Sequence, residues 1–402
     1  MKNKALLIQG IRANAQTYSL LLALGFIWIL FAIATGGVYI SPQNISNLFR
    51  QMTIIGFMAC GMVLVIVTGG IDLSVGKLAG FVSVFVAVLQ AYFNPWLVSL
   101  IYPGADATTH NIVSAIISIL LGVGLGALIG VLQGSVIAYL SVPAFIVTLG
   151  GMFIFRGAIL AVTQGKTIPA NQPIFTDIGQ GYIPNTAGLV LAVIAVILVV
   201  LFILQARKKK AQYKIEAGPL LFDILKMLVA AVGIIGYVLI VNLYQGLQIP
   251  VLLLALVAAI LIYLSNSTRF GRYAYAIGGN REATRLSGID IKKNIFKIFI
   301  LMGTLCGVAG VSLASYVGYG TIAAGEGYEL DVIAACILGG TSTLGGEGTV
   351  VGALIGALVM ASLSTGMTML NSPPAMVYIV KGLVFILAVL VDVSVRKSAS
   401  KN

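Results

Sequence analysis

Charge is scarce in this sequence: 9 % of its 402 residues are Asp, Glu, Lys or Arg, against 59 % hydrophobic residues and a mean hydropathy of +1.06. A soluble fold of this size could not solvate such a surface, so the chain reads as a polytopic membrane protein. Histidine occurs once, at His110 in a polar stretch, which argues against proton relay through histidine clusters. The three cysteines, Cys60, Cys306 and Cys336, fall in apolar stretches without metal-ligand spacing, and read as small packing residues. No GxxxxGK(S/T) occurs: around Gly76 and Lys77, Ile71 stands where the first glycine is needed and Leu78 follows the lysine. The chain therefore has no P-loop with which to hydrolyse ATP. It also lacks a row of intramembrane carboxylates, so energy for uphill work has to come from outside the polypeptide. No cleavage site follows the N-terminal Lys2, Lys4 and Arg12, and the first span reads as an uncleaved helix.

What is present is apolar length. A helix crosses a bilayer with about 20 apolar residues, and the sequence offers roughly a dozen such stretches. They are Thr17–Ile40, Met52–Gly69, Leu73–Phe93, Ile112–Leu140, Pro143–Thr163, Ala187–Leu204, Leu220–Leu243, Ile249–Leu264, Ile295–Val317, Asp331–Leu344, Val350–Leu370 and Met376–Val391. Asp331–Leu344 is too short for a full crossing. With the N-terminus in the cytoplasm, this order puts Lys2, Lys4, Arg12, the Arg207–Lys214 cluster, the Arg269–Lys297 segment and the Arg396–Lys401 tail on one side. Those clusters hold 18 of the 24 lysines and arginines, whereas only Arg50 and Lys166 fall in loops on the other side. The asymmetry places both termini inside by the positive-inside rule and accounts for the net charge of +12 without nucleic acid. The Arg207–Lys214 run reads as a topology anchor rather than a site for anionic headgroups of membrane lipids. The opposite loops, Asn94–Asn111 and Gly165–Asn185, are polar with almost no positive charge and could receive a partner. The fold class expected is all-α: a single polytopic helix bundle, residues 1–402, with broken helices.

The breaks are the most informative feature. Val63–Gly80 and Asp331–Gly352 each set a glycine pair, Gly69-Gly70 or Gly339-Gly340, and polar groups between two apolar stretches. In lipid an unpaired backbone group costs several kcal/mol, so such breaks survive only where protein or a wet cavity covers them, as in transporters. Asp72 and Ser74 read as an N-cap for the helix that follows, compatible with shaping a polar passage. Thr148, Asp331 and Thr341 join them as candidate pathway residues. Arg156 either snorkels toward the external face or pairs with a carboxylate such as Asp331, while Lys77 and Lys381 are expected to snorkel. Gly122, Gly126, Gly130 and Gly134 recur at i, i+4, a face that lets another span of the chain approach at backbone distance; Gly352 and Gly356 repeat the device.

Asn266–Lys293 is the richest polar stretch and lies on the basic side. Gly278-Gly279 breaks the chain, Asn280 can cap, and Glu282–Leu286 reads as a short helix ended by Gly288. A capped, charged helix lying along the membrane is a docking surface.

Four motifs now stand in order: GGIDLSVG at Gly69–Gly76, PAFIVTLGGMFIFRG at Pro143–Gly157, TRFGRYAYAIGGNREATRLSGI at Thr268–Ile289 and AACILGGTSTLGGEGTVVGA at Ala334–Ala353. Together they resemble the permease subunit of bacterial ABC importers for monosaccharides, the ribose, xylose and galactose family, over most of Ser46–Asp392. The resemblance implies a homodimer in the cytoplasmic (inner) membrane, a cytoplasmic ATPase using ATP and Mg, and an extracytoplasmic sugar-binding protein. It implies no cofactor and no enzymatic activity in this chain. By the same resemblance, residues 266–294 form the coupling loop, with Gly279, Asn280, Glu282, Arg285 and Gly288 docking on the ATPase. Residues 207–246 are extra relative to the ribose type and carry one more span, as in the xylose or multiple-monosaccharide subgroup. Xylose or a related aldose is favoured; the alternative is an ion-coupled secondary sugar transporter.

Overall fold

The computed structural model describes residues 15–104, 106–212 and 220–399. Lys2, Lys4, Arg12, Lys214 and Lys401 lie outside them. The first half runs through α1 (Ala15–Ala34), a 3-10 turn at Val38–Ile40, α2 (Pro42–Val67), α3 (Val75–Val88), α4 (Asn94–Ile101), α5 (Ala107–Ala138) and α6 (Ala144–Thr163). Next come β1 (Ile168–Pro169), α7 (Pro173–Gln180), β2 (Tyr182–Ile183), α8 (Asn185–Gln212), α9 (Leu220–Asn242), β3 (Leu247–Gln248) and α10 (Ile249–Ser267). The chain continues with α11 (Arg269–Gly279), α12 (Arg281–Leu286), α13 (Ile291–Val317), β4 (Tyr319–Gly320), α14 (Tyr328–Leu338), α15 (Val350–Met369) and α16 (Pro374–Ala399). The two-residue strands pair antiparallel, β1 with β4 and β2 with β3, and are the only sheet among the described residues.

Nine segments among the described residues are long and apolar enough to cross a bilayer, matching the all-α membrane bundle that composition requires. The other three expected spans correspond to α1, α14 and α16, whose apolar cores are shorter. Many helices begin where a side chain takes up an orphan N–H, a contact that contributes about 1 kcal/mol. Ser41 accepts from Asn44 ahead of Pro42, Asp290 from Lys293, and Thr349 from Gly352. Asp106 accepts from Thr108 and Thr109, and the Thr109 hydroxyl bond holds this exposed carboxyl below its ordinary range.

The bundle is built around α2, whose apolar stretch is 94 % buried, with α13 and α15 against it. The glycine face of α5 meets α13. A Cβ on Gly126 would lie 2.4 Å from the Gly303 carbonyl oxygen, and one on Gly130 2.5 Å from that of Phe299. The expected neighbour is thus a span of the same chain, carrying matching glycines at Gly303 and Gly307. By contrast, α8 and α9 are only 11 % buried and pack mainly on each other at the periphery.

The segments read as loops differ most from expectation. Asn94–Asn111 is mostly helix, because a π-helical turn at Leu89–Phe93 bends α3 into α4 without ending the run. There Gln90 and Asn94 turn inward and donate to Ser118 at 2.7 and 2.8 Å. Gly165–Asn185 holds α7, tied down by the Ser315 hydroxyl donating to the Phe175 carbonyl. Arg50 is not in a loop. It lies in α2, buried, with its guanidinium 4.7 Å from the centre of the Tyr182 ring. Arg207, Lys208 and Lys209 likewise continue α8 rather than forming a loop, and Arg207 pairs with Asp223 of α9 at 2.5 Å.

Candidate functional site at the two helix breaks

After α2 the backbone turns at Gly69, whose φ of +80° suits glycine, and the Gly70 N–H bonds back to the Val65 carbonyl at 3.0 Å. The chain then runs without helix to a bend at Leu73–Ser74, where Ser74 already has helical dihedrals. Asp72, 1 % exposed, accepts from the Ser74 N–H at 2.8 Å and from its hydroxyl at 2.6 Å. The side chain that organises this helix start is therefore Asp72, acting through Ser74 at the cap position. Gln133 of α5 donates to the Ser74 oxygen at 3.1 Å and extends the network across the bundle. Thr148, also buried, bonds back to the Ala144 carbonyl at 2.9 Å and leaves its hydroxyl 3.3 Å from the Ile71 carbonyl. The first break is thus lined by side-chain polar groups.

The second break is made of backbone. Gly340, Gly345, Gly346 and Gly348 all have positive φ. A Cβ on Gly352 would stand 2.0 Å from the Gly339 carbonyl oxygen, and one on Gly356 2.0 Å from that of Ala335. So α14 and α15 meet at backbone distance, as the glycine spacing implies. Thr341 is fully buried here, and its hydroxyl has no hydrogen-bond partner.

The two breaks touch. The Gly346 N–H donates to the Val67 carbonyl at 2.9 Å. At the same point α11 ends: a Cβ on Gly278 would lie 1.7 Å from the Val67 oxygen and 2.5 Å from the Gly346 nitrogen. Gly279 packs against Gly346 beside it. From this root the chain passes to Asn280, whose side chain accepts from the Ala283 N–H at 2.9 Å and starts α12. The Thr284 hydroxyl reaches the Ala276 carbonyl at 2.8 Å, fastening α12 to α11. Glu282 and Arg285 pair at 2.5 Å on the exposed side, and Gly288, at φ +77°, turns the chain toward α13.

The charged pathway candidates fall differently. Arg156 does not pair with Asp331: it lies on the exposed face of α6, and Asp331 in the first turn of α14 instead takes Lys381 of α16 at 2.8 Å. Lys77 does not snorkel either. Its side chain is buried and paired with Glu326, in the turn that leads into α14. Each lysine is neutralised by a carboxylate from another segment, which removes the cost of an unpaired ammonium in a mostly buried site. The 324–329 turn joins the two halves: a Cβ on Gly76 would meet Glu329, and one on Gly80 the Ala324 carbonyl. Gln133, Glu326 and Glu329 were not singled out from the sequence. Neither carboxylate stands in a recognisable motif, and only the packing of their turn along α3 brings them to Lys77 and Gly76.

Residues 44–389 match the family described as branched-chain amino acid transport system / permease component. The xylose transport system permease protein of Haemophilus influenzae is 41 % identical over 96 % of this chain and 98 % of its own length. That of Escherichia coli K12 is 36 % identical over 96 % and 93 %, and the ribose import permease protein of Bacillus subtilis 33 % identical over 91 % and 90 %. No solved structure matches. Broken helices closed by backbone contact, a capped loop rooted on both breaks and this coverage fit together: the chain belongs to the family of transport-system permease components.

Proposed function

We propose that the chain is the membrane subunit of an ATP-driven importer that passes a monosaccharide, with xylose or a related aldose favoured. The substrate class follows from the xylose and ribose permeases that the chain resembles, and the length of α8 and α9 accords with the xylose type. The observation that carries the coupling is the root of α11–α12: Gly278-Gly279 in backbone contact with the ends of both breaks. A cytoplasmic ATPase seated on Asn280–Gly288 would push directly on the two segments that interrupt the membrane. For this to move solute, the partner must bind one arrangement of the breaks better than the other.

In this reading Asn280, Glu282, Arg285 and Gly288 form the dock, with Gly279 at its root. Asp72, Ser74 and Thr148 border the path at the first break. Gly69, Gly70, Gly339 and Gly340 allow the turns, and Asp331 and Thr341 border the second. Arg156 faces outward and fits a contact with a second copy of the chain better than the path itself. A sugar-binding protein would dock on the opposite end, where α4 and α7 lie; ATP and Mg belong to the ATPase. Residues 207–246 form a peripheral insertion, 266–294 the coupling loop, and both termini lie in the cytoplasm.

The test is uptake into liposomes holding this chain, its ATPase and its binding protein. ATP-dependent accumulation of xylose, abolished without the ATPase, is the expected result. Accumulation driven by a proton or sodium gradient without ATP would overturn the proposal in favour of a secondary carrier.

A further inference from the structure

A cavity of about 390 Å³ opens between α14, α15 and α16, within the range of small-molecule sites, roughly 300–1,000 Å³. Its lining includes Glu326, Tyr328, Asp331, Thr368, Tyr378 and Lys381. Asp331 and Lys381 hold each other at 2.8 Å, and Glu326 is held from behind by Lys77. The charges of the lining are therefore matched, which suits an uncharged solute better than an ion or an acid. An ion pair can also present a carboxylate acceptor and an ammonium donor side by side, the complement of a row of hydroxyl groups. Two tyrosines add ring faces for the C–H side of a sugar ring and hydroxyls at their rims.

We propose that this cavity is a holding site for an uncharged polyol, an aldopentose in the first instance, with Asp331 and Lys381 bonding its hydroxyls and Tyr378 covering its face. The inference rests on the importer reading and deepens it by giving the permease a solute site of its own.

The native cysteines make the test clean, since Cys60, Cys306 and Cys336 are all fully buried. Thr368, exposed at the cavity mouth, is replaced by Cys in the full chain and labelled in membrane vesicles with an impermeant thiol reagent, in the absence of the binding protein. Xylose should slow labelling in a saturable way, while sucrose at equal osmolality should not. Adding Tyr378→Leu should shift the midpoint of protection upward about tenfold. The exchanged pair Asp331→Lys with Lys381→Asp should restore folding and yet fail to restore protection, an outcome that a purely structural ion pair would not give. Labelling indifferent to xylose, a Thr368→Cys thiol covered by a second copy, or full protection in the exchanged pair would overturn the inference. Uptake by the wild-type complex, measured in parallel, separates the cases: if uptake persists while protection is absent, only the holding site falls.

Discussion

The two breaks solve one problem by different means. At the first, between α2 and α3, the chain leaves its helix once at a positive-φ glycine, and a side-chain network follows: Asp72 accepts from the Ser74 N–H and hydroxyl, and Gln133 donates to the same hydroxyl oxygen. At the second, between α14 and α15, positive-φ glycines follow closely and neighbouring backbones fill the space, with Gly339 against Gly352. The first break is sensitive to chemistry and the second to size. A carboxylate can change its hydrogen bonds without moving helices, whereas a backbone contact can change only if the helices part.

Substitutions put that contrast to the test. Gly352→Val drives a side chain into the Gly339 carbonyl and should cost about 3 kcal/mol, seen as lost folded yield in detergent and a lower Tm. An unchanged Tm would mean that the second break has slack and the contrast is false. Asp72→Ala strands the Ser74 N–H in a buried site, leaving the hydroxyl to Gln133, and should cost about 2 kcal/mol, whereas Asp72→Asn keeps an acceptor and should lose much less. Equal losses from the two variants would show that shape rather than hydrogen bonding governs the first break. Glu282→Arg should change stability least, under about 1 kcal/mol, because its pair with Arg285 is exposed. Its effect should instead appear as weakened association with the ATPase; intact association and intact uptake would remove α12 as the dock.

Hydropathy revealed most helices, since a lipid-facing helix must be apolar along its length, and the glycine spacing on α5 announced its partnership with another span. The short helix after Asn280 was legible for the same local reason: its cap and its terminating Gly288 lie within a few residues of each other. Long-range pairing was not legible. Nothing near Lys381 in sequence marks Asp331 as its partner, nor Lys77 as that of Glu326, because both pairs join segments far apart in the chain. The placement of Arg50 inside α2 was obscured by the polar residues around Ser46, which read as a loop, whereas Ser46 is buried in the helix and accepts from Gln248. The helix in Asn94–Asn111 was hidden by Asn94 and Pro95, residues that usually interrupt helices but here directly follow the π turn, which carries the helical run on.

The seam between α5 and α13 limits how the molecule can move. Gly126 and Gly130 on one side mesh with Gly303 and Gly307 on the other, so a slide along the axis would bring side-chain-bearing positions against opposing main chain. Travel by translation is barred there, while rocking about the line of contact is not. In the importer reading, an alternation between inward and outward openings would proceed by tilting of the other helices about this pair rather than by sliding along it.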